Sequence, residues 1–145
     1  ACADTKVQST SGDEALVLQA ELIAESVGNT PYSARVRITH ADSVRLAGDD
    51  PSGDYAEQMF VYHVKVIETL RGEPMEEITY SSFSEAGESA DVPDVPVIIT
   101  LCRSEDGFYW PGVGAMFDDH ATLAAIARNV AAQVDPAQET FGDCE

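Results

Sequence analysis

The stretch Gln58-Met59-Phe60-Val61-Tyr62-His63-Val64-Lys65-Val66-Ile67-Glu68-Thr69-Leu70 is the longest uninterrupted strand candidate in the sequence. Phe60, Tyr62, Val64 and Val66 fall on one face at a period of two. Met59, Val61 and Ile67 share the other face with His63 and Lys65. Such alternation belongs to a strand with one face in a core. Arg71-Gly72-Glu73-Pro74 ends it as a turn, and Glu77 to Phe83 reads as a shorter strand that returns alongside.

The same pattern extends outward in both directions. Leu16 to Val27 reads as a half-buried strand, with Leu16, Leu18, Ala20, Leu22 and Ala24 on one face and Gln19, Glu21 and Glu25 on the other. Gly28-Asn29-Thr30-Pro31 is a turn signal. Ser33 to Leu46 is extended again, with Val36, Ile38, Val44 and Leu46 opposite Arg35, Arg37 and Arg45. His40 and Asp42 interrupt its apolar side, which suggests a bulge. Ala47 to Tyr55 and Ser84 to Asp94 read as surface loops. Val95 to Cys102 is apolar on both faces, as a strand in the middle of a core is. Phe108 to Phe117 is an aromatic strand whose Pro111, Gly112 and Gly114 imply a bend or an edge position.

One helix is expected at about 119–134. Leu123, Ile126, Ala127, Val130 and Val134 recur at helical spacing, Asp118 or Asp119 can cap it, and Pro136 follows. A single helix after a run of strands is not an alternating βαβ chain. The expected fold is mainly β: an OB-like antiparallel five-stranded barrel with a C-terminal α-helix. Residues 1–14 read as a flexible polar tether, and 15–145 as one domain.

Tyr62 to Glu73, with its apolar strand closing in Leu70-Arg71-Gly72, resembles the strand and turn of netrin-like (tissue-inhibitor-of-metalloproteinase-like) domains in bacterial exported proteins. The resemblance covers roughly Ala15 to Phe117 and implies an OB-like barrel. Inhibitory animal members chelate a protease zinc through a free N-terminal cysteine. The nearest match here, Cys2, follows Ala1 and lacks the Cys-x-Cys opening, so that mechanism is not transferred.

The chain carries 26 acidic and 8 basic residues, for a formal charge of -18 over 145 residues. Such a surface repels nucleic-acid backbones and anionic lipid headgroups, and it suits a salty or extracellular medium. No run approaches the roughly 20 apolar residues of a membrane helix. Of the cysteines, Cys102 ends an apolar strand and Cys144 lies in the tail. A Cys102–Cys144 disulfide is expected over two unrelated thiols, and it implies an oxidising compartment. Ala1-Cys2 resembles the end of a lipoprotein signal, so Cys2 is either the lipidated residue or a partner of another cysteine.

GxSxG, P-loop and GxGxxG motifs are absent from the sequence, and no two of His40, His63 and His120 share an HxxxH spacing. His40-x-Asp42 is a possible half-site for a metal, weighed against a partly exposed polar pair. Asp118-Asp119-His120 could ligate a cation, but capping explains it as well. Asp49, Asp50 and Asp54 depart from the calcium-loop spacing, and nothing around Cys102 and His63 supports a thiol nucleophile. Phe108, Tyr109 and Trp110 form the densest aromatic run, either a partner surface or barrel core.

The functional expectation is a non-catalytic binding module, exported or anchored in the cell envelope, as a periplasmic lipoprotein or a secreted protein. It needs no cofactor. Its partner is an unidentified protein or small ligand, not nucleic acid, and it meets a membrane only through a lipid at Cys2. A metalloprotease inhibitor and an enzyme with a cryptic metal site are the alternatives.

Overall fold

A computed structural model describes residues 2–45, 57–85, 88–112 and 115–144. Its strands are β1 (Tyr32–Arg45), β2 (Glu57–Arg71), β3 (Glu77–Glu85), β4 (Val97–Ser104), β5 (Gly107–Tyr109) and β6 (Met116–Asp118). They form one sheet in the order β1-β2-β3-β5-β4-β6, and β1 also pairs with β4. The ring β1-β2-β3-β5-β4 therefore closes into a five-stranded, OB-like barrel, with β6 added outside β4. Every pairing is antiparallel except β3 with β5, which is parallel.

The barrel interior is filled by the faces that alternation assigns. Phe60, Tyr62 and Val64 from β2 meet Val36 and Ile38 from β1, Ile78 and Tyr80 from β3, and Ile99 and Leu101 from β4. Tyr62 stacks on Tyr80 at 4.8 Å between ring centroids, and Tyr80 stacks on Trp110 at 5.9 Å. β4 is apolar on both faces because it separates two cores. Val97, Ile99 and Leu101 enter the barrel, whereas Ile98 turns to a second cluster beneath the helices.

That second cluster corrects the N-terminal expectation. Leu16 to Val27 is not a strand: it lies in helix α1 (Cys2–Gly28), which also takes in most of the stretch read as a tether. Leu16, Ala20, Ile23 and Val27 recur at steps of four, three and four, a helical stripe. They pack with Leu123, Ala124 and Ala127 of α2 (Ala121–Gln133). The period-two pattern through Leu16, Leu18, Ala20 and Leu22 is incidental. It leaves out Ile23 and Val27, which are fully buried, and it leaves Leu18 exposed. The Ala, Leu, Glu and Gln content of the segment also favours helix over strand.

Two boundaries differ as well. The aromatic strand expected over Phe108 to Phe117 is two short strands, β5 and β6. Pro111 and Gly112, the latter at φ 122°, break the ladder after Trp110. The cap of α2 is His120, one residue past the expected aspartates, and its Nδ1 accepts from the Thr122 amide at 3.0 Å. Asp119 is drawn away by Arg35, which donates to it through Nε at 2.7 Å and Nη2 at 3.0 Å.

The C-terminal tail is bonded back to the barrel. Cys102 and Cys144 form a disulfide across a sequence separation of 42. The Tyr109 hydroxyl donates to the Cys144 carbonyl at 2.9 Å. Arg71 donates to the Val27 carbonyl at 2.7 Å and to Gln138 Oε1 at 2.8 Å, so one guanidinium joins the end of α1 to the tail.

Candidate functional site

The described part of the chain gathers chemistry-bearing side chains on the outer face of β1 and β2. One bulge is responsible. Ile38 pairs with Val64, but His40 pairs with His63, so Thr39 is an extra residue in β1. In an unbroken antiparallel ladder His40 would oppose Tyr62, whose side chain is in the barrel core. The inserted residue reverses the alternation from that point on. His40 and Asp42 turn to solvent, and so does Val44, which was expected on the inner face with Val36 and Ile38.

His40 and His63 then lie side by side across the strand pair. Their rings stack with centroids 4.1 Å apart and planes at 9°. His63 Nε2 sits 2.7 Å from Asp42 Oδ2. Thr39, the bulge residue, is hydrogen-bonded to both histidines. Its hydroxyl donates to the His63 carbonyl at 3.0 Å, which leaves a lone pair for His40 Nδ1 at 3.1 Å. A neutral His40 with its proton on Nδ1 presents a bare Nε2. One donor atom from each of His40, Asp42 and His63 lies within 4.8 Å of the other two. Beside them is an open hollow of about 590 Å³ whose lining includes Lys65, Glu77 and Thr79.

Of this cluster the sequence supplied only the half-site His40-x-Asp42. His63 is 23 positions from His40, and no local motif joins them. The joining signal was the interruption of the apolar face of β1, which marked the bulge but not the partner it would select.

The other candidate residues are dispersed. Asp118 accepts from Gln19, Asp119 pairs with Arg35, and His120 caps α2, so each has a separate structural partner. Cys102 is committed to its disulfide and leaves no thiol for His63. Asp49, Asp50 and Asp54 lie outside the described residues, as do the side chains of Cys2 and Arg45. Phe108, Tyr109 and Trp110 are half-buried. Phe108 packs on Tyr32 at 4.7 Å, Tyr109 bonds to the tail, and Trp110 stacks on Tyr80.

A set of ion pairs with displaced titrations lies at the seam between the barrel and α2. Glu68 accepts from Arg128 Nε and Nη2, each at 2.6 Å, and from Arg35 Nη1 at 3.2 Å. Arg128 first and Arg35 second hold the Glu68 carboxyl down to about 2. Asp119 is lowered as well, chiefly by its bonds from Arg35. These groups fasten the start and the outer side of α2 to the barrel.

Together these features define a class of protein: a five-stranded OB-like barrel, stapled to its own tail, with an exposed histidine–aspartate cluster on an outer face. No protein-family model and no curated protein matches the chain.

Proposed function

We propose that the chain is a non-catalytic binding module of an oxidising, extracytoplasmic compartment, and that it meets its partner through the outer face of β1, β2 and β3. The supporting observation is a cross-strand row of apolar side chains at the end of this face. Val44 pairs with Met59, and Met59 pairs with Phe83. Val44 is 43% exposed and Phe83 62% exposed. Large apolar groups in register on a wet sheet cost solvation unless a partner covers them. The Cys102–Cys144 disulfide supports the compartment. The netrin-like resemblance of Tyr62 to Glu73 belongs to the same reading, as does a lipid anchor at Cys2.

Site-specific photo-crosslinking in the producing cell tests it. A crosslinker at position 83 yields one discrete adduct, which is lost when Val44→Asp is added. The same crosslinker at Ala125, on the exposed side of α2, yields none. Equal labelling from positions 83 and 125, or none from 83, overturns the reading.

A further inference from the structure

We propose that His40, Asp42 and His63 bind one divalent transition-metal ion of the zinc type, with remaining coordination positions open toward the adjoining hollow. The proposal does not depend on a protein partner.

The donor set selects the ion. Two imidazoles and one carboxylate suit zinc and its neighbours in the first transition row. Calcium and magnesium prefer sites made wholly of oxygen. The spacing also fits. Donors about 2.0–2.1 Å from a tetrahedral zinc stand roughly 3.4 Å from one another. The Asp42 Oδ2 to His63 Nε2 distance of 2.7 Å lies below that value, and the 4.8 Å bound on the whole set lies above it. Side-chain rotations close the difference and turn the stacked rings out of parallel so that their lone pairs converge. They are open to His40 and Asp42, which are both exposed.

The surroundings favour the bound state in two further ways. Thr39 orients His40 as the second layer of a metal site does, because it occupies Nδ1 and leaves Nε2 free. A chain of net charge -18 also concentrates divalent cations near its surface. On binding, the ion takes the place of the hydrogen bond between Asp42 and His63, and a neutral His63 turns its Nε2 lone pair to the metal and carries its ring proton on Nδ1. The lining of the hollow beside the rings leaves room for water or an incoming side chain to complete the coordination.

The test is calorimetric titration of metal-stripped, disulfide-intact protein with zinc at neutral pH and physiological salt. One ion per chain is expected, with micromolar affinity. His40→Ala and His63→Ala each weaken binding by about tenfold or more, Thr39→Val by about tenfold, and His120→Asn leaves it unchanged. Circular dichroism verifies that each variant is folded. Imidazole nitrogen resonances of the unsubstituted protein give a readout that needs no variant: those of His40 and His63 move along the same saturation curve, and that of His120 stays still. Zinc uptake that fails to saturate at one ion per chain overturns the proposal. So does equal affinity in the folded His40→Ala and His63→Ala variants, or a wild-type spectrum in which those two rings do not respond. Each of these outcomes would mark diffuse binding by the acidic surface.

Discussion

At Gly72 the chain leaves β2 with a φ of 99°, in the left-handed region open to glycine. A Cβ placed there would lie 2.9 Å from Tyr32 Cδ1 and 3.1 Å from the Pro31 carbonyl oxygen. Conformation and space therefore both exclude a side chain. Gly72→Ala is expected to cost about 1–3 kcal/mol, read as a lower urea midpoint with an unchanged slope. The turn was visible in the sequence as Arg71-Gly72-Glu73-Pro74, but its contact with Tyr32 was not. That contact joins residues 40 positions apart. Thr39 acts at the same scale with a larger consequence, since one inserted residue carries His40, Asp42 and Val44 from the core side of β1 to solvent.

Among the elements, α2 is fixed to the barrel by apolar packing on one side and by the Arg35, Glu68, Arg128 and Asp119 cluster on the other. Glu68 titrates near 4.5 when unfolded and at about 2 when folded. A carboxylate with a depressed folded value contributes stability that is complete above pH 4.5. That contribution is lost progressively as the pH falls from there toward about 2. Asp119 acts in the same direction, while Asp143, raised by burial, acts in the opposite one. Thermal unfolding of Glu68→Gln is expected a few degrees below wild type at pH 7, with the two curves converging as the pH approaches the folded value of Glu68. A gap of constant size across that window would assign the loss to packing. The helix itself was legible from Leu123, Ile126, Ala127 and Val130. Its ion pairs were not, because Arg35 and Glu68 sit on different strands and meet only through pairing register.

For the molecule as a whole, the disulfide ties the last residues to the central strand β4, and with them the tail contacts of Arg71 and Tyr109. Restricting a loop of 42 residues in the unfolded chain is worth about 4 kcal/mol in the chain-entropy account. Reduction is expected to lower unfolding free energy by about that amount, measured by denaturant titration with and without reductant. A change under about 1 kcal/mol would mean that the tail is held by its hydrogen bonds alone.

Read alone, the sequence determined the strands between Ser33 and Cys102, the barrel class and the C-terminal helix, and it favoured the Cys102–Cys144 pair over the alternatives that Cys2 left open. In each of these the signal is local periodicity or a residue type whose chemistry limits its partners. Only tertiary structure decided that Leu16 to Val27 is helical, since its apolar residues satisfy two periods and burial against α2 selects one of them. It also decided which residues stand together outside the barrel. His63 joins His40 and Asp42 because β1 carries one residue more than β2 between two paired positions, and register is a property of two strands that neither carries by itself.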